Sequence, residues 1–187
     1  MKKYIIIAGV NGAGKSTLYE VYDIIRSSPR VNTDEIVKSF GDWKNKQDVF
    51  KAGKIAVSRI SEYFEKGITF NQETTLCGKS IISNIKKAKD LGYSVEIHYV
   101  GVNSVKIAKE RVSYRVKNGG HGIEEKDIER RFKETFVNLN NIIKECDLVV
   151  FYDNTTNFRR FAIIKKGNVV RISKDIPKWF EKVDIRI

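Results

Sequence analysis

The segment Gly9-Val10-Asn11-Gly12-Ala13-Gly14-Lys15-Ser16 constrains this chain most, because it satisfies the pattern GxxxxGK[ST]. Before it, Tyr4 to Ala8 (YIIIA) is an unbroken apolar run, as expected of a strand buried on both faces of a parallel sheet. After it, a helix is expected from about Gly14 to Ile25. Strand, glycine-rich loop and helix together form an anion cradle. Glycines let the backbone wrap so that successive N–H groups converge on one phosphate, backed by the positive end of the helix. The expected nucleotide contacts are Gly9, Asn11, Gly12, Ala13, Gly14, Lys15, Ser16 and Thr17. Lys15 is expected to reach the β- and γ-phosphates of ATP or GTP, and Ser16 to coordinate Mg²⁺.

The rest of the chain alternates strands and helices. Ser27, Ser28 and Pro29 break the first helix, and Arg30 to Asn32 reads as a short strand. Thr33 is the expected N-cap of a helix carrying Asp34, Ile36 and Val37. Val49, Ala52, Ala56, Ile60 and Tyr63 recur at helical spacing over Lys44 to Lys66, which Gly67 ends. Ile68 to Asn71 is a further strand leading into Glu73-Thr74-Thr75. Ile81, Ile85 and Ala88 mark a helix closed by Gly92, and Ser94 to Val100 is a strand.

Ser104 to Lys117 is a helix, with Val105, Ala108, Val112 and Val116 on one face. Gly119-Gly120-His121-Gly122 interrupts it before a second helix with Ile128, Phe132, Phe136, Leu139 and Ile143. Leu148 to Tyr152 is the last central strand. Arg160–Lys165 and Asn168–Ser173 flank Lys166-Gly167 as a hairpin, and Pro177 to Lys182 is a closing helical turn. This order predicts an α/β fold: a doubly wound, mainly parallel sheet in a P-loop kinase-like three-layer sandwich, with a helical lid and a C-terminal hairpin. All 187 residues are expected to form one domain, with its core at about 3–155.

The net charge of +12 suits polyanionic partners. The lysines are scattered, however, and no basic run with interleaved aromatics appears, so nucleic acid is not the expected partner. The two distant cysteines read as reduced core thiols rather than a disulfide or metal site, and two histidines argue against a catalytic zinc. No apolar run is long enough to cross a membrane, and the basic start leads straight into the phosphate loop, so a cytoplasmic location is expected.

A phosphate loop alone does not name a reaction. Neither the base-recognition motif of GTPases nor the extended motifs of transporter ATPases is present. A small-molecule kinase fits better, since it needs this loop, a carboxylate near the acceptor hydroxyl and an arginine-bearing lid. The carboxylate candidates are Asp34, read as the acceptor base ahead of a plain helix-dipole role, and Glu73, read as assisting Mg²⁺ or the acceptor. Thr74 and Thr75 beside Glu73 offer hydroxyls to a substrate or an N-cap to the next helix. Arg111 and Arg115 share a helix face, and Arg130 and Arg131 sit across the glycine break. As a set they suit a closing lid, with Arg115 and Arg131 the best candidates to meet the transferring phosphoryl group and Arg111 and Arg130 to meet substrate. His121 reads as a loop residue with a packing or hinge role. Asn154 could lie near the adenine or form an Asx turn with Asp153.

Several ordered blocks resemble the zeta toxin family, in its short bacterial branch. They are Ala8 to Thr17, Val31-Asn32-Thr33-Asp34-Glu35-Ile36, Glu73-Thr74-Thr75-Leu76, Arg111-Val112, Arg115-Val116, Gly119-Gly120-His121, Ile128 with Arg130-Arg131, Asn138-Leu139 and Tyr152-Asp153-Asn154. They span about Lys3 to Thr155. Zeta toxins are P-loop kinases that phosphorylate the 3′-hydroxyl of the amino sugar in UDP-N-acetylglucosamine, and in many systems a small antitoxin holds them off. The resemblance implies that activity here, with Asp34 at the position of the family's catalytic base. Two other readings stay open: a benign small-molecule kinase of the same fold, and a nucleic-acid-associated P-loop kinase or ATPase.

Overall fold

The computed structural model describes residues 1–185. Seven strands join one sheet in the order β2-β3-β1-β4-β5-β6-β7. They are β1 (Lys3–Ala8), β2 (Arg30–Val31), β3 (Phe70–Thr74), β4 (Ser94–Gly101), β5 (Leu148–Asp153), β6 (Arg159–Lys165) and β7 (Asn168–Ile172). The first five run parallel and the last two antiparallel. The result is the expected α/β fold, a mainly parallel sheet flanked by helices. β1 lies between β3 and β4, and every residue from Tyr4 to Ala8 is fully buried, as its unbroken apolar sequence requires.

The helices are α1 (Lys15–Val21), α2 (Asp23–Arg26), α3 (Thr33–Lys38), α4 (Lys46–Glu65), α5 (Ser80–Asp90), α6 (Val105–Lys117) and α7 (Glu125–Ile142). Several expected boundaries shift for local reasons. The first helix does not continue to Ile25, because Tyr22 is extended (φ −121°, ψ 105°) and separates α1 from α2. Asn32, not Thr33, caps α3: its side-chain oxygen accepts from the Asp34 and Glu35 amides, at 2.8 and 3.4 Å. α4 starts after Asn45, whose side chain caps it. Its buried stripe is Ala52, Ala56, Ile60 and Phe64, while Val49 faces a cleft.

β3 begins at Phe70 and includes Glu73 and Thr74. The expected helix cap at Thr74 or Thr75 is therefore absent, since α5 starts at Ser80. The hairpin forms about Lys166 and Gly167, both left-handed (φ 49° and 77°), the backbone a two-residue turn needs to match strand twist.

The C-terminal segment is anchored. Trp179 is buried against Gly101, and its indole N–H donates to Asp153 at 3.0 Å. Tyr99, Phe136, Phe151, Phe161 and Phe180 ring it, a dense aromatic core under the end of β5. Among the described residues, no helix is long and apolar enough to cross a membrane.

Candidate active site

The loop from Gly9 to Ser16 joins the end of β1 to the start of α1. Gly9 and Gly12 have positive φ (141° and 79°), and a Cβ at either would collide with the carbonyl oxygen of Val100 or Ala108. Only glycine lets the loop lie this close to β4 and α6. Asn154 supports the loop from behind, donating to the Ala13 carbonyl at 2.8 Å. Its described contact is thus with the loop backbone.

Lys15 is buried and donates to the Gly9 and Val10 carbonyls at 2.9 and 3.2 Å. Burial lowers its pKa; Glu73 and Asp34 oppose that shift, while Arg115 and Arg131 add to it. Three cations therefore face one region. Charge that would otherwise repel is held there by packing, which suits a polyphosphate.

Glu73 sits opposite Ile7 in the β1–β3 register. Lys15 approaches its Oε1 at 3.8 Å, while Arg30 and Asn32 donate to Oε2 at 2.5 and 2.8 Å. Arg30 lies over the Tyr19 ring (3.7 Å to its centroid) and also pairs with Glu35 at 2.5 Å. Sequence reading missed Arg30; its only signal was a lone arginine opening the short strand beside that of Glu73. Through Asn32, one residue caps α3 and grips Glu73, so the helix bearing Asp34 is held in register with the phosphate loop.

Asp34 lies in the first turn of α3, with Oδ1 3.3 Å from His121 Nε2. It lines a cleft of about 780 Å³ together with Lys15, Glu73, Thr74, Thr75 and Arg131. That volume is in the range of small-molecule sites. The Thr74 hydroxyl accepts from the Leu76 amide at 3.1 Å, and the Leu76 carbonyl accepts from Asn138 on α7 at 2.6 Å. Leu76 is left-handed (φ 58°), a strained backbone that these two bonds secure at the edge of the cleft.

The four arginines separate. Arg131 reaches the phosphate loop, donating to Asn11 Oδ1 at 3.1 Å. Arg115 does not line the cleft, and among the described residues two of its buried guanidinium nitrogens, Nε and Nη2, have no hydrogen-bond acceptor. Arg111 leaves the cleft altogether and donates to the Thr155 carbonyl at 3.3 Å, on the Asn154 side of the loop. Arg130 lines the cleft but is held by Asp127 and Glu134 on its own helix. Ser16 is exposed at the start of α1 and Thr17 is half-buried behind it. A second hollow, of about 450 Å³, is lined by Ile143, Ile164, Gly167 and Ile185 with a single lysine, Lys144, and a single carboxylate, Asp184.

A parallel sheet, a phosphate loop at the end of its central strand and a facing carboxylate define a P-loop protein of the kinase type. The zeta toxin family model matches residues 1–168, and the chain belongs to that family. It is 34% identical over 131 residues to an uncharacterized protein of Haemophilus influenzae, a match spanning 70% of this chain and 92% of that one. Among solved structures, a chain of the AvrRxo1-ORF1:-ORF2 crystal structure with ATP superposes with a TM-score of 0.74 at 12% identity. The match covers 99% of this chain but only 64% of that one. The PezAT chromosomal toxin-antitoxin system of Streptococcus pneumoniae superposes at 0.63 and 15% identity, over 84% of this chain and 70% of that one.

Proposed function

We propose that this protein is an ATP-dependent kinase that transfers the γ-phosphoryl group to a hydroxyl of a sugar nucleotide, UDP-N-acetylglucosamine. The observation that carries the reading is Asp34 and Lys15 lining one cleft beside the phosphate loop. Lys15 is the donor-side cation and Asp34 the acceptor-side base. The loop amides and Lys15 would hold the β- and γ-phosphates, and Arg131 and Arg115 would meet the charge that spreads over the transferring group. The unsatisfied buried nitrogens of Arg115 fit that anion. Asp34 would accept the proton of the acceptor hydroxyl.

The donor set also fits Mg²⁺, which binds through one or two protein groups and otherwise to phosphate and water. Ser16 would bind the ion directly; Glu73, already held by Lys15, Arg30 and Asn32, would act through water. When bound, the ion neutralises phosphate charge. Thr75 and Arg130 on the cleft wall would contact the sugar nucleotide, and Thr74 would shape that wall. Arg111, beside Thr155 and Asn154, would lie toward the nucleoside of ATP. The PezAT neighbour comes from a toxin-antitoxin system, which supports a small antitoxin partner and toxicity in the cytoplasm when it is lacking.

The test is expression in bacteria. Wild type is expected to arrest growth with cell-wall defects, and Lys15→Ala to leave growth normal. Equal toxicity of both would overturn the reading.

A further inference from the structure

His121 sits at the tip of the break between α6 and α7, far from Asp34 in sequence and 3.3 Å from it in space. The seat of this tip is specific. The Gly120 amide donates to the Arg115 carbonyl at 2.9 Å, folding the chain back over the end of α6. Gly122 is buried against Trp43, where an added Cβ would stand 2.5 Å from the indole. The imidazole of His121 packs on the same indole, with centroids 5.5 Å apart. Two contacts thus press the tip onto the loop that follows α3.

The chemistry of the contact fixes its direction. Nε2 stands 3.3 Å from Asp34 Oδ1, and because a carboxylate can only accept, any hydrogen bond across this gap would be donated by the ring N–H. The charged groups facing His121 are Asp34 from α3, Asp42 from the loop after it, Arg115 from α6 and Arg131 from α7. Burial lowers the His121 pKa, the two arginines lower it further and the two aspartates raise it, so the ring is neutral at physiological pH. A neutral N–H at this distance would orient the carboxylate without cancelling its charge. A lysine at this position would weaken Asp34 as a base.

We infer that His121 is a positioning residue that occupies Oδ1 of Asp34, turns Oδ2 toward the acceptor and ties the alignment of the base to the seating of the α6–α7 tip. Arg131 on the same lid reaches Asn11 of the phosphate loop, so one seated element sets both the phosphate side and the acceptor side. The inference rests on Asp34 being the acceptor base proposed above.

Two measurements test it separately. The chain has only two histidines, so an NMR pH titration resolves His121 from the buried His98. Asp34→Asn is expected to lower the His121 midpoint, because the carboxylate supports its proton; an unmoved midpoint overturns the contact. In transfer from ATP to UDP-N-acetylglucosamine, His121→Ala is expected to lower kcat on the order of 10²-fold, the cost of a misaligned reacting group, with ATP affinity unchanged. His121→Gln, which keeps an N–H donor, is expected to recover most of the rate. Wild-type kcat in His121→Ala, or no recovery in the folded Gln variant, overturns the positioning role. A wild-type protein inert toward UDP-N-acetylglucosamine defeats the acceptor assignment instead, while the NMR arm still decides the contact.

Discussion

Arg131 on α7 donates to Asn11 Oδ1 at 3.1 Å, joining α7 to the phosphate loop. Asn11 is a neutral amide, so this contact orients the guanidinium without supplying a counter-charge. Arg131→Ala is expected to lower kcat about 10²–10³-fold, as loss of one preorganised transition-state donor does. ATP affinity should fall much less. Parallel measurement of kcat and ATP dissociation checks this, and equal losses in both would make Arg131 a ground-state binder.

Glu73 is the shared counter-charge of Lys15 and Arg30, with its side chain only 15% exposed. Glu73→Ala leaves the buried Lys15 without this carboxylate and Arg30 with Glu35 alone. Removing one partner of such a group costs about 3–5 kcal/mol, and the urea midpoint should fall accordingly. A midpoint within error of wild type would mean that the cations relax into solvent.

Much of this architecture was legible because burial on both faces leaves a plain mark. β1 and β5 are nearly unbroken apolar runs, β4 interleaves apolar residues with Ser94, Glu96 and His98, and each appears where its sequence predicts. β3 was placed too early because Asn71, Gln72, Glu73 and Thr74 look like loop. Asn71 is buried nonetheless, bonded by Tyr19 and donating to the Ile25 and Ser28 carbonyls, so tertiary partners satisfy its polarity. Asn32 and Thr33 are both capping residue types, and backbone dihedrals choose between them. The phosphate loop was legible from local spacing alone. The Asp34–His121 and Arg30–Glu73 contacts were not, because each is made by tertiary folding between distant segments.

His98 is buried in β4, with its Nδ1 3.0 Å from the Tyr152 hydroxyl. Burial chiefly, with Lys3 and Arg160 adding, lowers its pKa from 6.5 to about 4. The unfolded chain therefore binds the extra proton between those values and the folded one does not. Stability should be fully present above about pH 6.5 and decline as pH falls toward 4. Urea unfolding at stepped pH values checks this. His98→Asn should flatten that part of the slope; an unchanged slope would assign it to other groups.

Asp34→Asn separates binding from chemistry. The amide keeps the shape, and Asn32 still caps α3 through the backbone amides. Transfer should fall on the order of 10²–10⁴-fold, the usual worth of a general base, while ATP binding persists. Calorimetric titration with ATP beside a transfer assay decides it. A matching collapse of ATP affinity would place Asp34 on the donor side.

The central claim is that this cleft passes phosphate from ATP to a sugar-nucleotide hydroxyl. Its most direct test is incubation of purified protein with γ-labelled ATP and UDP-N-acetylglucosamine, followed by separation of the products. Label should move into the sugar nucleotide with wild type and stay in ATP with Lys15→Ala. The account is contradicted if protein that binds ATP leaves UDP-N-acetylglucosamine unlabelled and instead labels another acceptor, such as a nucleic-acid end or a different metabolite.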